Sequence, residues 1–114
     1  MKLITAIFKP SRLDAVMDAL RDADVSGLTV TEVRGYGRQQ GKTEVYRGAE
    51  YEIRLLPKVK IEVACTETET DKIVDAITKS ANTGTIGDGK IFVTPMDTVV
   101  RIRTGERDGQ AISG

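Results

Sequence analysis

Three stretches of the sequence gather residue types that could hold an anion. In TGTIGDGKIF, from Thr83 to Phe92, the pattern Gly84-x-x-x-x-Gly89-Lys90 keeps the spacing of a phosphate-binding loop until Ile91 stands where Ser or Thr should hold magnesium. Its context is also reversed, because a phosphate loop runs from strand to helix and this one leads into a strand. Its glycines still let backbone N–H groups turn onto an anion, and Lys90 adds a point charge. A glycine-rich turn with no ligand is the alternative. In VVRIRTGER, Arg101 and Arg103 fall on one face of an extended segment, with Val100 and Ile102 on the other. Two guanidinium forks suit bidentate contact with phosphate oxygens, although charges also guard a solvated strand edge. In GYGRQ, Gly35 and Gly37 end a strand, but the next glycine is Gly41, so G-x-G-x-x-G is incomplete and no dinucleotide fold follows. Together the three place glycines and cations at strand ends and favour an anionic ligand such as a nucleotide.

The elements that must position these groups follow from periodicity. KLITAIF, from Lys2 to Phe8, reads as a strand. Ser11, with Asp14 three residues on, offers an N-cap to a helix whose Leu13, Val16, Met17 and Leu20 make one apolar stripe. Gly27 lies beyond its end, and LTVTEVRG from Leu28 to Gly35 is the next strand. KVKIEVAC then alternates, with Val59, Ile61, Val63 and Cys65 on one face and Lys58, Lys60, Glu62 and Ala64 on the other. Thr68 or Thr70 can cap a second helix that buries Ile73, Val74, Ile77 and Ala81 and ends between Asn82 and Gly84, before a strand from Lys90. Two β-α-β units predict an α+β, ferredoxin-like βαββαβ fold with a four-stranded antiparallel sheet and both helices on one face. The expectation is a single domain over 1–114, with a protruding loop at about 38–56 between strands 2 and 3 and a C-terminal tail from about 106. The first strand is apolar on both sides, Leu3 and Ile7 against Ile4, Ala6 and Phe8, so a homo-oligomer that buries the open sheet face is expected.

Composition prunes the chemistry. Lys plus Arg and Asp plus Glu are 17 each, so no net positive field argues for nucleic acid or a membrane surface. With no His there is no Ser-His-Asp triad and none of the usual zinc sites. Cys65 is the only cysteine, which excludes an internal disulfide and reads as a small buried hydrophobe. The start, MKLITAIFKPSRLD, has too short an apolar run for a signal peptide, and no run approaches a membrane span, so a soluble cytoplasmic protein is expected. The stretch RQQGKTEVYRGAEYEIR, from Arg38 to Arg54, is charged and long for a connection inside a small domain, which marks it as functional. An RNA-binding domain would stack bases on its sheet, but Phe8 and Phe92 are the only phenylalanines and no RNP pattern occurs. A small phosphate-handling enzyme, a slow ATPase or an acyl-phosphate hydrolase, is the alternative function; it would hold phosphate with Lys90, Arg101 or Arg103 but lacks an evident nucleophile or base.

KPSRLDAV, GYGRQQGKTEVYRGAEYEIRLLPKVKIEV, TGTIGDGKIFV and VVRIRTGE, in this order and spacing, resemble the PII nitrogen-regulatory signal-transduction family over nearly the whole chain. The resemblance implies a trimeric, non-catalytic sensor that binds ATP or ADP in clefts between subunits, and 2-oxoglutarate together with Mg2+ and ATP. It implies that Gly35, Gly37, Arg38, Gly87, Asp88, Gly89 and Lys90 form the nucleotide cleft, that Arg101 and Arg103 reach in from a neighbouring subunit, and that Thr29, Glu62 and Ala64 approach the adenine and ribose. Gln39 would also meet the nucleotide and would give magnesium its protein ligand. Gln39, Gln40, Gly41 and Lys58 would surround 2-oxoglutarate, with Lys58 on a carboxylate. Tyr51 matches a tyrosine that a nucleotidylyltransferase modifies with UMP or AMP in many bacterial relatives, and Arg47 would enter the pore of an ammonium transporter. The partners implied are that transporter, which would draw the protein to the inner face of the membrane without insertion, and enzymes or regulators of nitrogen metabolism. Departures are equally specific. Gln40 stands where relatives commonly carry Lys or Arg, Arg54 and Leu55 replace an acidic or amide residue followed by an aromatic, Ser11 sits where Phe is frequent, and Ala49 removes a serine phosphorylated in some photosynthetic relatives.

Overall fold

The structure is a computed structural model that describes residues 1–37 and 55–113. Its sheet has four strands, β1 (Lys2–Phe8), β2 (Thr29–Gly35), β3 (Leu56–Cys65) and β4 (Gly89–Pro95), in the order β2-β3-β1-β4 with antiparallel neighbours throughout. Helix α1 (Leu13–Asp22) links β1 to β2, α2 (Thr70–Ala81) links β3 to β4, and a short α3 (Gly109–Ser113) follows the sheet. This is the expected α+β, ferredoxin-like arrangement, an open antiparallel sheet with two helices packed on it.

Alternation in the central strands decides where the core lies. Ile4, Ala6 and Phe8 of β1 and Val59, Ile61, Val63 and Cys65 of β3 point to the same side, where they are buried against Val16 and Leu20 of α1 and Ile73, Ile77 and Ala81 of α2. The edge strands contribute less, and β2 has no buried residue. The open face follows from register: Leu3, Thr5 and Ile7 lie beside Ala64, Glu62 and Lys60 of β3 and beside Thr94, Phe92 and Lys90 of β4. It mixes apolar and charged side chains. Phe8 is locked in the core and Phe92 is half exposed, so the open sheet has no paired phenylalanines on which bases could stack.

Several local expectations are corrected. Ser11 does not cap α1. Pro10 opens a 3-10 turn, Pro10–Arg12, one residue earlier, which puts Ser11 inside the turn instead of before the helix. Met17 lies on the exposed side of α1, leaving Leu13, Val16 and Leu20 as the buried stripe. Neither Thr68 nor Thr70 caps the second helical segment. That role belongs to Thr66, whose hydroxyl donates to Glu69 Oε1 at 2.8 Å within a capping box around the turn Glu67–Glu69. β3 starts at Leu56, not Lys58. Pro57 is tolerated because, among the described residues, β2 alone pairs with β3 there; β1 pairing begins at Val59, in register with Phe8. β4 begins at Gly89, one residue before the expected start.

The segment Val100–Arg107 is the largest departure. Arg101 and Arg103 do not lie on one face of an extended strand, because the chain reverses between them and Glu106. Arg101 N–H donates to the Glu106 carbonyl at 2.9 Å, Gly105 N–H donates to the Arg101 carbonyl at 2.8 Å, and Val100 bridges Arg107. Gly105 (φ 73°) and Asp108 (φ 58°) supply the positive φ values that the reversal needs.

Candidate functional site

The antiparallel register sets Gly89 opposite Phe8, so the chain leaving α2 must reverse within Thr83–Asp88 to enter the sheet beside the end of β1. Gly84 (φ 79°), Gly87 (φ 95°) and Gly89 (φ 108°) make that reversal possible. At Gly89 the need is twofold, since a β-carbon there would also land on the backbone carbonyl of Ile7.

Asp88 folds the loop from inside. Its Oδ2 accepts the N–H of Thr83 at 2.8 Å and of Gly84 at 2.9 Å, its Oδ1 accepts the Thr83 hydroxyl, and Lys9 Nζ lies 3.2 Å from Oδ1. Hydrogen bonds from the side chain and backbone of Thr83 hold the Asp88 carboxyl well below the usual carboxylate range. Asp88 therefore shapes the cradle with its carboxylate turned into the loop. From β3, on the far side of β1, Lys58 Nζ donates to the Gly87 carbonyl at 2.9 Å. Burial, then the charge of Lys9, lowers the pKa of Lys58, with Asp88 opposing. Lys90 is exposed on the open face in register with Ile7. A groove of about 450 Å³ runs behind this turn, lined by Phe8, Ile77, Ala81, Asp88, Gly89 and Lys90 among others.

Of the residues singled out in the sequence, Gly35, Lys58, Gly87, Asp88, Gly89 and Lys90 thus converge at one end of the sheet, where Gly35 closes β2 opposite Leu56 and Gly37 follows. Among the described residues the arrangement suits an anion: positive-φ glycines, the lysines Lys9, Lys58 and Lys90, and the Asp88 carboxylate already engaged by donors. Arg38, Gln39, Gln40, Gly41, Arg47 and Tyr51 lie outside the described residues.

The rest of the set lies at the opposite end. Thr29 is in register with Glu62, and Ala64 lies further along β3, six residues or about 20 Å from Lys58. Gly27, Ala64 and Arg101 line a second cleft of about 530 Å³ together with Val25, Cys65 and Glu69. Arg101 is braced there by Glu106 Oε1 at 2.9 Å and by the carbonyls of Gln110 at 3.1 Å and Ala111 at 3.2 Å, whereas Arg103 is exposed on the turn. One chain therefore does not bring Thr29, Glu62, Ala64, Arg101 and Arg103 to the Gly87–Lys90 cradle.

Sequence reasoning missed two side chains that organise the region. Lys9 ties the loop to β1, and Arg12 donates Nε at 2.9 Å and Nη2 at 2.6 Å to the Ser80 carbonyl at the C-terminus of α2. Both sit in KPSRLDAV, but contacts across so many residues leave no local pattern. Among the described residues, no group of three or more His, Cys, Asp or Glu could hold a metal ion, and no helix is long and apolar enough to cross a membrane.

Comparison with known proteins adds an independent observation. Residues 1–106 match the family model described as nitrogen regulatory protein P-II. The chain is similar to the nitrogen regulatory protein P-II of Azospirillum brasilense, 57% identical over 112 residues that cover 98% of this chain and all of the relative. With the same coverage it is 54% identical to the nitrogen regulatory protein GlnK of Escherichia coli K12 and to the nitrogen regulatory protein P-II of a Synechocystis strain.

Proposed function

The chain belongs to the nitrogen regulatory protein P-II family, and from that premise we propose that it senses ATP, ADP and 2-oxoglutarate and passes their balance to partner proteins through residues 38–54. A role in nitrogen-regulatory signalling is what its relatives have in common.

The observation that carries the finer reading is the division of the candidate site between two ends of one sheet. The Gly87–Lys90 cradle with Lys58 is at one end, and Thr29, Glu62, Ala64 and Arg101 are at the other. A nucleotide touching both sets would lie between two copies, its phosphates on the cradle of one and its adenosine against β2 and β3 of the next, with Arg101 and Arg103 arriving from that neighbour. Such a head-to-tail contact uses different surfaces on the two partners and makes a ring when its rotation closes. Three copies is the number the resemblance implies, and a ring of this kind would cover the open face around Leu3, Ile7 and Phe92.

Mg2+ fits the donor set as an ion carried in by its ligands. It takes oxygen donors in an octahedron and retains few protein ligands, so Gln39 with phosphate and keto-acid oxygens would suffice. Gln40, Gly41 and Lys58 complete the 2-oxoglutarate site in this reading. Switching requires that ATP, ADP and 2-oxoglutarate favour different arrangements of residues 38–54, because a ligand with equal affinity for two states shifts nothing. The partners are an ammonium transporter at the cytoplasmic side of the membrane, met by Arg47, enzymes or regulators of nitrogen metabolism, and a nucleotidylyltransferase acting on Tyr51. Titration calorimetry with ATP, ADP and 2-oxoglutarate, singly and with Mg2+, tests the proposal. The expected result is keto-acid binding that depends on Mg2+ and ATP. Absence of that binding would overturn the carbon-sensing part, and rapid multiple turnover of ATP would overturn the sensor reading in favour of a phosphate-handling enzyme.

A further inference from the structure

Lys9 ends β1, and no ligand contact falls to it in the site described above. Its ammonium nevertheless meets three oxygens of one loop: Thr83 Oγ1 at 3.2 Å, Thr85 Oγ1 at 2.5 Å and Asp88 Oδ1 at 3.2 Å. Thr83 is 74 positions away in sequence, so the contact fastens a distant turn to the sheet. The lysine is itself well anchored. Its side chain is only 22% accessible, its carbonyl accepts the Arg12 N–H at 3.0 Å, and Pro10 restricts the backbone that follows.

Two consequences follow from charge and geometry. Asp88 orders the loop by accepting the N–H groups of Thr83 and Gly84, and Lys9 fixes where that carboxylate sits. Asp88 also puts a negative charge within a turn suited to anions; Lys9 is in ion-pair contact with it at 3.2 Å, and the charge of Lys58 acts on it as well. We propose that Lys9 is a positioning residue of the anion cradle: it acts through Asp88, holding the Thr83–Asp88 turn in the form that presents Gly87, Gly89 and Lys90 and neutralising the carboxylate beside them, without touching the bound phosphate. The inference rests on the sensor reading for the identity of the ligand, and on the unliganded structure for the strap itself.

The test has two arms. In the unliganded protein, amide hydrogen exchange at Thr83 and Gly84 accelerates at least severalfold in Lys9→Met and returns toward wild type in Lys9→Arg. Unchanged exchange in Lys9→Met overturns the strap whether or not any nucleotide binds. In the second arm ATP affinity is measured for Lys9→Met, Asp88→Asn and the double variant. Lys9→Met loses about tenfold, in line with a charge-assisted contact at a partly exposed site. Because the effect of Lys9 runs through Asp88, Lys9→Met costs less ATP affinity in the Asp88→Asn background than in wild type. An undiminished loss in that background would mean that Lys9 acts on the phosphate independently of Asp88, and would overturn the proposal. Should the wild-type protein fail to bind ATP, the functional reading falls and the exchange result alone decides the strap.

Discussion

Replacing Gly89 with alanine separates a steric demand of the fold from a general preference for glycine in turns. Gly89 has φ 108° and a β-carbon would collide with the Ile7 carbonyl, whereas Gly84 has φ 79° and a β-carbon there would meet nothing within 4 Å. Backbone strain at such a φ costs about 1–3 kcal/mol. Relieving the collision requires the start of β4 to move away from β1 near Phe8, which forfeits about one or two hydrogen bonds at roughly 1 kcal/mol each. Gly89→Ala is therefore expected to lose about 2–5 kcal/mol, a large part of the roughly 5–15 kcal/mol that stabilises a domain. At about 4 °C per kcal/mol, Tm falls by about 8–20 °C. Gly84→Ala carries only the left-handed penalty of about 1 kcal/mol, or about 4 °C. Thermal and urea melts of both variants and wild type, without ligand and at one protein concentration, measure the difference. The urea slopes should agree while the midpoints separate. A Gly89→Ala protein no less stable than Gly84→Ala would refute the reasoning, because the collision would then cost nothing.

Two further outcomes follow from the same structure. The folded-state pKa of Asp88 is depressed, so its contribution to stability is complete above the unfolded value near 4 and is lost as pH falls below it. Urea midpoints taken from about pH 7 to about pH 2.5 should therefore fall more steeply for wild type than for Asp88→Asn; parallel curves would show that Asp88 gains nothing from its donors. Thr66→Ala removes the hydroxyl of the capping box and should cost about 1 kcal/mol, or about 4 °C in Tm, whereas Thr68→Ala should leave the melt almost unchanged, as differential scanning calorimetry would show.

Much of the fold was legible because alternation and helical spacing report burial directly. Val59, Ile61, Val63 and Cys65 face the core as their pattern requires, and so do Val16, Leu20, Ile73 and Ile77. Met17 fits the same spacing yet lies at the margin of α1, where the stripe is wider than the surface it covers. The Thr66-x-x-Glu69 signature was present in the sequence but was overshadowed by threonines nearer the apolar run of α2. Around Arg101 the alternation of charge and aliphatic residue imitates a strand. The informative signals were Thr104-Gly105 and Asp108-Gly109, which favour reversal, and the reversal is closed by the Glu106 carboxylate on Arg101. The glycine and lysine members of the cradle could be read locally. The Lys9–Asp88 tie could not, because only the β1–β4 pairing brings those positions together.

The place of β3 at the centre of the sheet also bears on how the protein is made. β1 pairs with β3 and β4, and β2 pairs with β3 alone, so β1 and β2, the two strands that precede β3, are not neighbours. A growing chain must reach Glu62 before its first sheet ladder, β2 with β3, can be completed, and Cys65 before β1 is fully paired with β3. During that interval α1 is the only long element among the described residues that local hydrogen bonds can assemble, and the apolar side chains of β1 have no strand to cover them. The ribosome thus delivers β1, α1 and β2 before any sheet exists, and β4 then adds to an edge that β1 has held open throughout.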